Sequence, residues 1–166
     1  MTPRIRRAER SDVPLILSLV RELADYERLT DQVVATEELF ETHLFGERPA
    51  AEALIAEVEG EAVGLALFFT TFSTFVGRPG LWLEDAYVRP EHRRAGIGRA
   101  LVQHLARVAM ERGHGRIEWT ALDWNEPALD FYAGLGARPV EGWTIYRLDG
   151  DGIRHLAATR GGAAGA

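Results

Sequence analysis

The 166-residue sequence predicts an α/β (α+β) fold, a mixed central sheet with helices on both faces. Three observations carry this. Apolar runs of strand length alternate with longer stretches in which apolar residues recur at helical spacing. Two of those runs, "AEALIAEVEG" and "EAVGLALFFTTF", meet at "EGE" and read as an antiparallel hairpin. A glycine turn, "RRAGIG", then joins the strand "LWLEDAYV" to an amphipathic helix, the connection on which layered α/β folds are built.

The elements follow in order. "RIRRA" (4–8) predicts an edge strand. Ser11, followed by Asp12 and Pro14, predicts a helix start, because serine caps free N–H groups and proline is tolerated in the first turn. Leu15, Leu19, Val20 and Leu23 carry that helix to about Leu29. Thr36, with Glu37 and Glu38 behind it, opens a second, shorter helix whose acids suit the macrodipole. The hairpin and the loop "FSTFVGRPG" lead into "LWLEDAYV". Ile97, Leu101, Leu105 and Val108 then place an apolar stripe on a helix that ends at Gly113 and Gly115. "RIEWTAL" predicts a strand. "NEPALDFYAGLG" predicts a helix, with Asn125 as its cap, Pro127 in its first turn and its end at Gly134 or Gly136. "GWTIYRLD" predicts a final strand with alternating large residues, "GIRHLAA" a last helical turn, and "TRGGAAGA" a flexible tail. The expected order is β-α-α-β-β-β-α-β-α-β, in one domain over 1–160 with 161–166 as tail.

Composition narrows the function classes. At 46% hydrophobic the chain can bury one sizeable core. No run reaches the roughly 18 to 20 apolar residues of a membrane span, and "MTPRIRRAERSD" has no apolar leader core, so a soluble, cytoplasmic protein is expected. Cysteine is absent, which excludes disulfides, thiolate metal sites and cysteine nucleophiles. A net charge of -6 argues against nucleic acid and anionic membranes as partners and suits a cationic substrate. All 19 basic residues are arginine. The five histidines lack metal-ligand spacing on a helix, so no metal is expected.

The glycine turn sets free helix N–H groups where an anion could sit, with glycine allowing close backbone approach. Alone it is a weak signal, since many such turns carry glycine for packing. A P-loop would need lysine, and a dinucleotide fingerprint would need a third glycine where Leu101 stands. Neither is present.

Arg93-x-x-Gly96-x-Gly98, opening a helix after "YVRPEHR", resembles the coenzyme A motif of the GNAT N-acetyltransferase superfamily, and "WNEPALDFYAGLGA", one strand later, resembles its second signature. "RELADYE", "LWLEDAYV", "WNEP" and "EGW" are similar to the spermidine/spermine (diamine/thialysine) acetyltransferase branch over about residues 4 to 156. The resemblance implies a GNAT fold with a strand bulge at the acetyl-CoA site. It implies that the backbones of Ala86, Tyr87 and Val88 bind the pantetheine arm and that the turn Arg93, Arg94, Ala95, Gly96, Ile97, Gly98 and Arg99 holds the pyrophosphate. Asn125, Pro127 and Ala128 would contact the cofactor from the next helix.

An alkylamine with a pKa of about 10 is protonated at neutral pH and must lose a proton before attacking a thioester. Glu84, in an apolar strand, is expected to have its pKa raised by desolvation and to act as base, at the position the resemblance gives the family's base. Tyr132 matches the family's general acid. Both residues also have plain structural readings, an acid paired with an arginine and a ring packed on the sheet. Tyr26, Glu27, Glu84 and Glu141 are the candidates for binding the amine, which acids and aromatic faces attract. Asp85 should point to the opposite side of the strand, in a structural role.

Ser73 and Phe75 stand where the polyamine branch tends to carry an acid and a tryptophan, so a smaller amine such as thialysine or a diamine fits about as well. The resemblance also implies a homodimer. The reading is an acetyl-CoA-dependent N-acetyltransferase acting on a small primary amine. A catalytically silent acyl-CoA sensor and a protein or peptide N-acetyltransferase stay open beside it.

Overall fold

A computed structural model of the chain describes residues 2–159; the tail expected at 161–166 lies outside the described residues. Five strands form one sheet in the order β1-β2-β3-β4-β5. They are β1 (Arg4–Arg7), β2 (Glu52–Val58), β3 (Glu61–Ser73), β4 (Arg78–Val88) and β5 (Ile117–Glu118). The first four run antiparallel, neighbour to neighbour, and β5 joins β4 in parallel, so the sheet is mixed as expected. The β2–β3 hairpin turns at Glu59 and Gly60, with φ of 54° and 87°. Positive φ at both central residues matches the twist of the strands it joins.

Helices cover both faces. On one, α1 (Val13–Tyr26) presents Ile16, Leu19 and Leu23, and α2 (Glu37–Phe45) presents Leu44, to Ala53, Ile55, Leu65, Leu67 and Tyr87 of the sheet. Thr36 caps α2 by accepting the Leu39 N–H at 3.3 Å. On the other face, α3 (Ile97–Glu111) lays Ile97, Leu101, Leu105 and Val108 against Leu54, Ala56, Ala66, Phe68, Leu81 and Leu83. The predicted stripe on α3 is thus the buried one, and each such leucine is worth about 1.5–3 kcal/mol.

The described residues divide into two compact units, with the boundary between Asn125 and Glu126. The second contains α4 (Glu126–Gly134) and α5 (Gly150–Ala158). Four expectations need correction. "RIEWTAL" pairs with β4 only at Ile117 and Glu118. "GWTIYRLD" forms no strand; it is irregular and exposed, because no strand pairs with its backbone. "GIRHLAA" extends to a nine-residue helix whose start Asp149 caps by accepting the Gly152 N–H at 3.0 Å. The observed order therefore closes β-α-α, not β-α-β. Within α1 the chain leaves the helix at Tyr26, short of the expected Leu29, as Arg28 takes a φ of 61°.

Candidate active site

The site is organised by one irregularity in β4. Leu67 of β3 faces Asp85 and Phe68 faces Leu83, so the register skips Glu84. A bulge adds one residue to a strand and reverses the sidedness of everything after it. The packing records that reversal. Before the bulge Leu81 and Leu83 enter the α3 side of the core; after it Ala86 and Val88 do, and Tyr87 enters the α1 side.

Glu84 and Asp85 consequently share the α1 side, which corrects the expectation that Asp85 faces away from Glu84. The side chains divide their environments unequally. Glu84 is exposed, and its Oε2 accepts the Trp82 indole N–H at 2.9 Å. The desolvation expected at Glu84 falls on Asp85 instead, whose carboxyl burial pushes up to about 6, with the charges of Glu84 and Glu27 adding to it. Burial also raises the Glu27 carboxyl at the end of α1. Glu84 and Glu27 thus both lie within electrostatic reach of Asp85, in a position to attract a cation.

Beyond the bulge β4 has an open edge. Its ladder with β5 ends at Trp82–Glu118, while the strand continues to Val88. Arg89 N–H donates to Val63 O at 2.9 Å, so the alternating pattern of an antiparallel pair turns the Tyr87 backbone toward β3 and the Ala86 and Val88 backbones toward the open edge. Of the three backbones expected to meet a pantetheine arm, two face the opening, and Tyr87 is occupied by the sheet.

The turn that follows is exposed from Arg93 to Gly96. Arg94 and Gly96 both have left-handed φ, 64° and 81°. Gly96 stands at the head of α3 with no side chain capping the helix, so the first N–H groups, those of Ile97, Gly98 and Arg99, are presented to an anion by the helix itself. The Ile97 side chain is buried beneath them. Arg93 turns back: its Nε donates to Val88 O at 3.0 Å, and its guanidinium lies 4.4 Å from the Tyr26 ring centroid and 5.8 Å from that of Tyr87.

Tyr26 in turn donates its hydroxyl to Oδ1 of Asn125 at 3.1 Å, and Asn125 is buried. Trp124 stands 6.3 Å from Tyr26, with Arg28 5.9 Å from its ring. A sequence-predicted amine residue and a sequence-predicted cofactor residue are therefore hydrogen-bonded to each other. In the second unit, Pro127 and Ala128 lie in the first turn of α4, Tyr132 follows one turn on with its ring 5.3 Å from Phe131, and Glu141 is exposed. At the β3–β4 loop, Ser73 is buried and its Oγ accepts the Val76 N–H at 3.3 Å, whereas Phe75 is 94% exposed. Trp82 went unnoticed in the sequence, although its i, i+2 spacing from Glu84 is a usable signal for a shared strand face.

A free strand edge that ends in an uncapped helix start suits an extended ligand tipped with phosphates, and the class is set by the family. The chain belongs to the acetyltransferase (GNAT) family, whose profile matches residues 17–137, and it is an N-acetyltransferase. GNAT enzymes take their acetyl group from acetyl-CoA. Among curated proteins it is similar to a thialysine N-ε-acetyltransferase of Bos taurus, 42% identical over 92% of this chain and 96% of that protein. It is also similar to an L-ornithine N5-acetyltransferase of Arabidopsis thaliana, 30% identical over 94% and 88%. Among solved structures, an integron cassette protein of V. cholerae superimposes with a TM-score of 0.79 at 26% identity, over 96% of this chain and 99% of that one.

Proposed function

We propose that the protein transfers the acetyl group of acetyl-CoA to the primary amine of a small amino compound, a thialysine-like amino acid, diamine or polyamine, by direct attack of the amine on the thioester. The observation that carries this is the bulge in β4, which sets two acids beside the open strand edge. The thialysine and ornithine enzymes among its relatives support the substrate class.

In this reading Ala86 and the Val88 N–H offer backbone hydrogen bonds to the pantetheine arm, and Arg94, Ala95, Gly96, Ile97, Gly98 and Arg99 hold the pyrophosphate, which Arg93 joins only by leaving Val88 O and the Tyr26 ring. Asn125, Pro127 and Ala128 are the further cofactor contacts. When bound, acetyl-CoA supplies an activated acyl carbon. Tyr26, Glu27, Glu84 and Glu141 attract and orient the amine, Glu84 accepts its proton directly or through water, and Tyr132 protonates the departing thiolate. A second acceptor is favoured by one observation: Asp85, with its carboxyl near 6, can take a proton at neutral pH with little bias either way.

The homodimeric state and cytoplasmic location that the resemblance implies belong to the same proposal. Support for a dimer comes from the exposed apolar residues Val140, Trp143, Ile145, Tyr146, Leu148 and Leu156 in the second unit, a surface that a second copy would cover. Light scattering reads the state, and cell fractionation reads the location.

Thiol release from acetyl-CoA, measured with thialysine, diamines, spermidine, amino acids and basic peptides, tests the activity. Turnover is expected with the small amines, and Glu84→Gln and Tyr132→Phe should each lower it at least about tenfold. Tight coenzyme A binding without turnover on any amine would favour a silent sensor instead, and turnover confined to peptides would favour a peptide acetyltransferase. If Asp85→Asn alone abolished turnover, the base would be reassigned to Asp85.

A further inference from the structure

We propose that Trp82 is a positioning residue for acetyl transfer, its indole N–H fixing the carboxylate of Glu84 in the orientation that receives the amine's proton. The inference rests on the reading of Glu84 as the proton acceptor. Glu84 is the residue the strand register skips, and it is exposed. An exposed glutamate with no ladder partner samples many rotamers, and a proton acceptor that wanders loses the advantage of proximity. One directional contact limits it, the 2.9 Å bond from Trp82 Nε1 to Oε2. An indole can only donate, so this bond holds Oε2 as an acceptor and leaves Oε1 for the substrate.

Trp82 is itself anchored. Its backbone forms the last rung of the parallel ladder with Glu118, and its ring lies 6.5 Å from Phe69 at 33° on the neighbouring strand. The indole therefore stands on the final fixed point of β4 before the strand opens. The charged groups around it make a neutral donor the apt choice. Asp85 is an acid and repels the Glu84 carboxylate, Glu27 bears on Asp85 in turn, and Glu118 on β5 is taken up by Arg116 at 2.6 Å. Among the described residues Glu84 makes no ion pair. An arginine in place of Trp82 would hold Glu84 as firmly but would oppose its protonation; the indole orients the acid without cancelling its charge.

The test is a double-mutant cycle read with thialysine and acetyl-CoA, together with the indole resonance of Trp82. Trp82→Phe keeps a ring on Phe69 and removes the donor. It should lower kcat about tenfold and leave the KM for acetyl-CoA within about twofold, while in a Glu84→Gln background the same change should matter less than about twofold. Trp82→His places an N–H at the equivalent point of a five-membered ring and should recover much of the loss at pH 8, where imidazole is neutral. In 15N-labelled protein the indole peak missing from Trp82→Phe should move upfield in Glu84→Gln, because a bond to a charged acceptor is replaced by one to a neutral amide. A Trp82→Phe cost of equal size in both backgrounds, or an indole peak unmoved by Glu84→Gln, overturns the positioning role. Full turnover in Glu84→Gln overturns the proton-acceptor role, and the positioning role with it.

Discussion

The acid that should betray the site most clearly is Asp85, because its environment makes opposite demands on stability and on function. Its carboxyl moves from 3.8 to about 6, chiefly through burial and then through the charges of Glu84 and Glu27. A carboxyl with a raised folded-state pKa favours the folded protein when protonated. The penalty is absent well below 3.8, grows between 3.8 and about 6, and is constant above that. At 1.36 kcal/mol per unit, about two units amount to roughly 3 kcal/mol at pH 8 and about 1 kcal/mol at pH 4.5. Asp85→Asn keeps the shape and removes the charge. Urea unfolding should therefore show the variant more stable than the parent by up to about 3 kcal/mol at pH 8, shrinking to about 1 kcal/mol at pH 4.5, with m unchanged. In heat this corresponds to a rise in Tm of roughly 6–12 °C at the higher pH. The same variant should bind a cationic amine more weakly, since one of three attracting acids is gone. A stability gain that does not vary between pH 4.5 and 8 would refute the reasoning, because it would mean that the carboxylate carries no desolvation penalty.

Other expectations follow from the backbone and its contacts. Gly64→Ala would bring a Cβ within 2.9 Å of Tyr87 O and 3.4 Å of Val88, so it should destabilise the fold by about 1–3 kcal/mol in denaturant titrations and weaken coenzyme A binding through the displaced strand edge. Arg94→Gly should be tolerated, or should stabilise the protein by about 1 kcal/mol, because the 64° φ suits glycine better than arginine. Arg94→Val should lower Tm and coenzyme A affinity, read by calorimetry. Removing the Arg89 guanidinium with Arg89→Met should cost about 1–3 kcal/mol, since it leaves Glu22, bonded at 3.0 and 3.1 Å, and the Ala62 carbonyl, bonded at 3.2 Å, without their donor.

What the sequence made legible, and what it did not, turns on the range of the interactions involved. The α3 stripe, the β2–β3 hairpin and the helix start at Thr36 are set by residues within a turn or two of one another, and periodicity or spacing reports them. The glycine turn belongs with these, because left-handed backbone at Gly96 and a helix start at Ile97 are local choices. The strand expected at "GWTIYRLD" failed for the opposite reason: alternation describes a surface that could pair, and pairing needs a partner edge that no local pattern supplies.

The bulge lies between these cases and matters most for function. Along "LWLEDAYV" strict alternation puts Leu81, Leu83, Asp85 and Tyr87 on one side and Trp82, Glu84, Ala86 and Val88 on the other. Alternation in those eight residues marks no break, and only the family resemblance implied the bulge, since the extra residue is decided by what β3 presents opposite, with Leu67 meeting Asp85 and Phe68 meeting Leu83. One skipped residue then moves Asp85 and Tyr87 to the α1 side and sends Ala86 and Val88 into the α3 side of the core. The same skip brings Asp85 beside Glu84 and leaves Glu84 without a register partner, to be held by Trp82. Substitutions that restore plain alternation should therefore damage catalysis more than stability. Deleting Glu84 outright is the sharpest of them: it should leave a sheet that folds and an active site that does not assemble, visible as near-parental circular dichroism with no thiol release from acetyl-CoA.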